Sequence, residues 1–315
     1  MDLNQYCQDA AHRMVGRSDD NQGIFVETLL THTLAELFRF KYPATPFASG
    51  ELIEIDASAD PGADRVGWQM IGEVGKFRTV ADNGDDMPRI DLKGSYTSNK
   101  ACTVSGYIEY TEQDLQAASM QRMFSISDEK GKAARMAWDR TLDDYIRVGN
   151  FENGENLPGL CNVPGRSDIA ATAAWSTLTP SQICDEFSTV YDAIYSGTAG
   201  VMMPDTVVMP TRLRSLFKKQ NSIAANTSIE GFLKETYPEI DKWVYNSGMN
   251  DAGRDGATCL LMYNRQRESM SGLMPEFIRP LQPQPHNLCW RVPFKSRWAG
   301  LRVNAPAMVA TIYGV

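Results

Sequence analysis

The sequence predicts an α+β protein with three salient parts: a projecting β-hairpin, a long helix, and a mixed α/β segment set into the second half of the chain. Three observations carry this. Ile90, Leu92, Tyr96, Cys102, Val104, Ile108 and Tyr110 all fall on even positions, the period-two signature of one strand face. Between Ser125 and Gly149 apolar residues recur at helical spacing. From Thr179 to Tyr263 helical and strand patterns alternate.

The Ile90–Tyr110 run is too long for an ordinary strand. Extended at ~3.3 Å per residue it would cover roughly 70 Å, whereas strands in compact domains average about five or six residues. Either it breaks near Ser95–Ala101, or it projects beyond its own domain and needs a neighbour to cover it.

In chain order, residues Met1–Gly23 are polar and turn-rich and read as an arm. Ile24, Leu29, Leu30, Leu34, Leu37 and Phe38 mark an amphipathic helix that ends before Pro43. Glu51–Asp56 alternates as a short strand. Arg65–Val80 is rich in β-branched and aromatic residues, with Gly67, Gly72 and Gly75 marking bends or close approaches. Asn83-Gly84 then joins it to the Ile90 strand as a hairpin. An isolated two-stranded hairpin is marginal in water, so a projecting one calls for support from another subunit or domain.

Thr111 with Asp114 starts a short helix by a box-like cap. A second helix restarts at Ser125-Ile-Ser127 and runs about 23 residues, roughly 34 Å at ~1.5 Å each, until Gly149 stops it. Its apolar stripe is Ala134, Trp138, Leu142 (or Thr141), Tyr145 and Val148. Lys132, Arg135, Asp139, Arg140, Asp143 and Arg147 are placed opposite, with Asp143–Arg147 in the favourable i,i+4 order. Beyond Trp175–Pro180 come a helix through Ile183, Phe187, Val190 and Ile194; a buried strand Thr206–Pro210; a helix through Leu213, Leu216 and Phe217; and a helix Ile229–Tyr237. The strand Lys242–Tyr245, an exposed loop NSGMNDAGRDG and a buried strand Ala257–Tyr263 complete the α/β segment. After a PLQPQPH linker, Asn287–Phe294, Gly300–Val303 and Met308–Tyr313 read as three closing strands.

The 315 residues are 43% hydrophobic and 22% charged, ordinary for a folded protein. A net charge of −8 argues against a surface built to neutralise phosphates. No run approaches the eighteen or so apolar residues of a membrane span, and the first residues lack the basic and apolar regions of a secretory signal. The six cysteines are dispersed without a CxxC, which favours reduced thiols.

Active-site chemistry is not apparent. His12, His32 and His286 are each alone, and no HExxH, G-x-S-x-G, GxGxxG or Walker A sequence occurs. Ser127-x-x-Lys130 and Ser215-x-x-Lys218 match a short nucleophile motif, but the first sits where a serine caps a helix and no KTG element accompanies either. Asp82, Asp85 and Asp86 lack calcium-loop spacing and read as a solvated turn. The expectation is a non-enzyme with no cofactor and no metal. Trp68, Met70 and Phe77 on the hairpin are hard to hide in one domain and point to a partner.

The passage Asp143-Asp-Tyr-Ile-Arg-Val-Gly149 through Pro158-Gly-Leu-Cys-Asn-Val-Pro-Gly165 resembles the "G…GLxNxPG" loop of tailed-bacteriophage major capsid proteins with the Hong Kong 97-type fold. TEQDLQAA after Tyr107–Tyr110 is similar to that family's strand-to-helix entry, and most of the chain follows its ordered series of parts. The resemblance implies an N-terminal arm at 1–23 and a peripheral domain assembled from 24–64 and 100–174, the latter carrying the spine helix. It implies an E-loop hairpin at 65–99, an inserted axial α/β domain at 175–285, and closing peripheral strands at 286–315. It makes Trp68, Met70, Phe77, Ile90, Leu92 and Tyr96 the candidate intersubunit contacts, and Ala134, Trp138, Leu142, Tyr145 and Val148 the apolar face of the spine.

The implied function is a phage head protein that self-assembles into hexamers and pentamers of an icosahedral shell. That shell, assembled in the host cytoplasm and carried in the virion, would enclose double-stranded DNA without sequence-specific binding. A chain starting at a short arm, without a long helical extension, implies a separate scaffolding protein; a portal and a decoration protein are further implied partners. Lys76, Lys93 and Lys100 lie in or near the hairpin, with no motif marking any for crosslinking. The alternatives are an encapsulin-type compartment shell and, in another class, a soluble α/β enzyme.

Overall fold

The computed structural model describes residues 42–79, 87–113, 126–220, 227–287 and 289–315. The chain divides into two units, Met1–Tyr42 and Pro43–Val315, and every element below belongs to the second. The expected helix at 24–38, the Asn83-Gly84 turn and most of the helix after Thr111 lie outside the described residues.

A two-residue strand β1 (Ile55–Asp56) precedes the hairpin β2 (Arg65–Val74) and β3 (Asp91–Lys100). These pair antiparallel over their full length, from Arg65↔Lys100 to Val74↔Asp91. β4 (Cys102–Thr111) follows after one residue. The long run therefore does break, at Ala101, where two consecutive side chains, Ala101 and Cys102, are both buried. The Ala101 N–H donates to Asp64 O at 2.9 Å, and beyond it the chain changes partner. β3 pairs within the hairpin, while β4 pairs with a strand almost two hundred residues away, β14.

The long helix α1 (Ile126–Arg147) ends at a paired-glycine junction. Gly149 has φ +110°, and a Cβ there would lie 2.5 Å from Leu157 O; a Cβ on Gly159 would lie 2.4 Å from Gly149 N. Only two glycines let the helix end and the returning loop touch. The loop then caps the helix: Gly159 N and Asn162 Nδ2 both donate to Val148 O, at 3.1 and 2.7 Å. Between them Leu160 and Cys161 are buried. The Gly-Leu-Cys-Asn passage thus has a physical role as a C-terminal cap plus an apolar anchor. It includes the short pair β5 (Gly149–Asn150) and β6 (Leu157–Pro158).

After β7 (Ser167–Ala170), Thr179 and Gln182 form a reciprocal capping box with Pro180 in the first turn, starting α2 (Pro180–Gly197). β8 (Thr206–Pro210), α3 (Arg214–Phe217), α4 (Ile229–Thr236), β9 (Lys242–Asn246) and β10 (Cys259–Tyr263) follow. β11 (Met270–Leu273), β12 (Glu276–Pro280), β13 (Gln284–His286), β14 (Cys289–Trp298), β15 (Leu301–Val303) and β16 (Val309–Tyr313) complete the chain.

β7-β16-β10-β8-β9 form a mixed five-stranded sheet that walls off two cores. Val208, Leu261, Tyr263 and Val309 face a core with Trp138, Leu142 and Ile146 of α1. Val207, Met209, Leu260, Met262 and Ile312 face α2 through Ile183, Phe187, Val190 and Ile194. Both faces are covered, which is why these strands read as continuous apolar runs rather than alternating ones. No helix among the described residues is long and apolar enough to cross a membrane.

Several expectations are corrected. The PLQPQPH stretch is not a linker: β12 and β13 both pair with β14, leaving three residues between them. The three closing strands are present and enter three different sheets, β14 beside β4, β15 beside β11, and β16 between β7 and β10 of the five-stranded sheet. The loop after β9 is not simply exposed, since Met249 and Ala252 are buried. Asp143 does not lie on the polar side of α1; it is buried, and Arg147 pairs with Asp144 instead.

Candidate functional site

The hairpin is two-faced. Residues directly opposite in an antiparallel pair share a face, so Val66, Trp68 and Met70 share one with Asn99, Thr97 and Ser95. This face is half-buried at Val66, Trp68 and Met70, and Val66 and Trp68 pack on a small cluster of Ala101, Leu273 and Ala299. Trp68 therefore rests against its own subunit.

The opposite face carries Ile71, Leu92 and Tyr96, which are 71%, 64% and 68% exposed. The Tyr96 ring lies across Gly67: a Cβ on Gly67 would come within 2.6 Å of its Cζ, so the glycine makes room for the ring. Beyond the paired strands Phe77, Met87 and Ile90 are also exposed, with Phe77 at 90%. Ile71, Leu92 and Tyr96 thus leave large apolar side chains exposed together on one face of the hairpin.

The hairpin root is tied down by polar contacts. Asn99 Nδ2 donates to Leu301 O at 3.0 Å, Lys100 Nζ pairs with Glu155 Oε1 at 2.6 Å, and the Arg297 guanidinium donates to Pro61 O and Ala101 O. The hydrogen bond and charge of Glu155 raise the Lys100 ammonium above its ordinary range. Nearby, burial and then the charge of Glu152 push the Tyr145 hydroxyl up to about 12 while it bonds Glu152 at 3.3 Å.

The predicted spine face splits by depth. Trp138, Leu142 and Tyr145 are buried, Ala134 and Val148 are half-buried, and Ile146, which the stripe left out, is fully buried. Along the first half of α1 the helix stands off the sheet, leaving an apolar trench of about 370 Å³ lined by Val104, Ala134, Trp138, Ile278 and Phe294 among others. A second hollow of about 570 Å³ over Tyr110, Trp290 and Val292 shares Ile108 and Phe294 with the first. The exposed hairpin face and the open trench thus occur on the same chain.

Elsewhere the short nucleophile motif at Ser215 does not assemble a base: Lys218 pairs with Glu230 at 2.9 Å. Among the described residues no group of three or more His, Cys, Asp or Glu is arranged to hold a metal.

Comparison with known proteins supplies the class of this chain. The family model for "major capsid protein" matches residues 75–315, and the chain belongs to that family. It is a phage head-shell protein, a component of the virion. Among solved structures it is similar to the capsid of Myoviridae phage XM1, with TM-score 0.80 and 19% identity over 91% of this chain and 98% of that one. It is also similar to a chain of Microbacterium phage Oxtober96 (TM-score 0.66, 15% identity, 90% and 96% covered) and one of Mycobacterium phage Bobi (0.66, 14%, 91% and 96%). No curated protein matches the sequence. The family is a structural one, and the encapsulin alternative is not favoured.

Proposed function

We propose that the chain assembles into hexamers and pentamers of an icosahedral head around double-stranded DNA, and that the hairpin is its principal device for gripping a neighbour. The parts would be an N-terminal arm (1–23), an E-loop (65–99), a peripheral domain from 24–64, 100–174 and 286–315, and an axial domain (175–285) meeting its copies around the capsomer axis. The observation that carries the reading is the exposed apolar face of Ile71, Leu92 and Tyr96 on a hairpin that, among the described residues, is anchored at its root. A two-stranded ribbon has little stability of its own, and burial of that face against an adjacent subunit supplies what it lacks at about 25 cal/mol/Å². The trench along the long helix offers an apolar surface of the matching kind.

A net charge of −8 suits a wall that encloses DNA without gripping it. A separate scaffolding protein, a portal and a decoration protein are the remaining proposed partners. Electron microscopy of the purified chain, alone and with the scaffold from its own genome, tests the reading. Closed shells or capsomers support it, and a strictly monomeric species under every condition overturns it.

A further inference from the structure

The ten-residue strand β4 has a neighbour on one edge only. It pairs with β14 from Cys102↔Trp298 to Thr111↔Cys289, and no other described strand joins it. In an antiparallel ladder alternate residues turn both backbone polar groups to the same side. On β14 the even-numbered residues turn toward β4. Odd-numbered Pro293 accepts from Leu281 N at 2.7 Å on the other side, and Pro285, which has no N–H, stands opposite even-numbered Trp290. Even residues face even residues across β4 and β14, so Thr103, Ser105, Tyr107 and Glu109 point their N–H and C=O away from β14. Lys130 Nζ of α1 donates to Glu109 O at 2.7 Å, which places this outer edge on the side of the long helix. Among the described residues no hydrogen bond reaches the outward backbone groups of Thr103, Ser105 or Tyr107.

This bare edge opens into the apolar trench. Five consecutive residues, Val104 to Ile108, line it, whereas a strand that shows a groove only one face contributes alternate residues. The opposite wall is Ala133, Ala134, Ala137 and Trp138 of α1, mostly small side chains that leave room between helix and strand. A Cβ on Gly106 would meet nothing within 4 Å. An extended segment fits this space, because it can bond to β4 and lay apolar side chains on α1. A helix does not, because its own backbone bonds are satisfied internally and would leave the edge unpaired.

We propose that the outer edge of β4 receives a strand of the hairpin from a second copy of the chain, making one continuous sheet across the subunit boundary. The proposal rests on the shell reading and names the contact that reading would use. The hairpin offers what the edge lacks. Among the described strands β2 and β3 pair only with each other, so each keeps an outer edge, and Ile71, Leu92 and Tyr96 supply exposed apolar side chains to face the alanines of α1. Bare apolar strand edges are liabilities in a free subunit, and here each covers the other on assembly. Lys130 already occupies Glu109 O, which limits the added pairing to Thr103–Tyr107.

Hydrogen exchange with mass spectrometry, resolved to single amides, compares the full-length chain as free subunit and as particle. The Ser105 and Tyr107 amides should exchange freely in the subunit and gain about a hundredfold protection or more in the particle. Ser105→Pro removes one outward N–H without touching the β14 ladder, and should raise the assembly threshold about tenfold or more while Ser105→Ala assembles as the native chain does. Mixed particles of Gly106→Cys chains with Ile71→Cys or Leu92→Cys chains, oxidised with diamide, should give a disulfide-linked dimer that none of the three gives alone. Particles whose Ser105 and Tyr107 amides exchange as fast as in the free subunit would overturn the proposal and leave the shell reading standing. Protection without any such dimer would overturn the hairpin as the occupant. A native chain that forms no particle under any condition would overturn both readings.

Discussion

Replacing Ile71 and Leu92 together by serine separates a surface that serves assembly from one that serves folding. In the single subunit both side chains are mostly in water, at 71% and 64% exposure, so the double variant should unfold within ~0.5 kcal/mol of the native subunit per site. Fully burying an aliphatic side chain is worth about 1.5–3 kcal/mol. With some two thirds of each still to be covered, one hairpin contact should lose about 1–2 kcal/mol per side chain, or about 2–4 for the pair. Since 1.4 kcal/mol is tenfold in an equilibrium constant, association at each contact should weaken by about 30- to 700-fold. A shell repeats the contact in every subunit, so the assembly threshold should move to markedly higher concentration. Thermal unfolding of the free subunit, paired with sedimentation and electron microscopy over a concentration series, measures both sides. Native particle yields from the double variant would refute the reasoning. So would a loss of several kcal/mol in subunit stability, which would make these residues core.

Four further outcomes follow from the fold. Trp138→Ala removes a buried ring from the α1 core and should cost about 3–5 kcal/mol of subunit stability by denaturant titration. Thr179→Ala removes the capping box of α2 and should cost about 1 kcal/mol in the same assay. Gly248→Ala should displace the Arg147 guanidinium and break its bond to Gly248 O, seen as faster exchange of the 246–250 backbone with α2 unchanged. Burial opposes ionisation of Glu230, but bonds from Lys234, Lys218 and Tyr245 outweigh it and bring its carboxyl down to about 2. The sign follows: the stabilisation is present above the ordinary value of 4.5 and is lost as pH falls from there through about 2. Glu230→Gln should flatten stability against pH in that window.

Much of the architecture was legible because it rests on local patterns. Val207–Pro210 and Cys259–Tyr263 are apolar runs because both sheet faces are covered, and Thr179-Pro180 before Ile183 is a helix start on chemistry alone. The GLCN passage was recognisable as a motif, and the structure supplies its reason in the cap on Val148.

What escaped depends on distant partners. The even-numbered apolar pattern lapses at Ser98 and Lys100 and resumes at Cys102, which brackets a break near Ser95–Ala101 but does not show that pairing switches there from the hairpin to β14. Asp143 and Arg147 look like an exposed i,i+4 pair; only Phe47, ninety-six residues earlier, shows that the aspartate is buried. β13 carries Pro285 and pairs for just three residues at a sheet edge, where strand propensity is silent. Trp68 was readable as hard to hide, but not that Leu273 and Ala299 would half-cover it.

The most direct measurement of the central claim is a cryo-EM map of the assembled particle at side-chain resolution. The hairpin should lie on an adjacent subunit with Ile71, Leu92 and Tyr96 buried in the contact and Trp68 still resting on its own Leu273 and Ala299. A map in which the Ile71–Leu92–Tyr96 face points into solvent throughout the shell would contradict it.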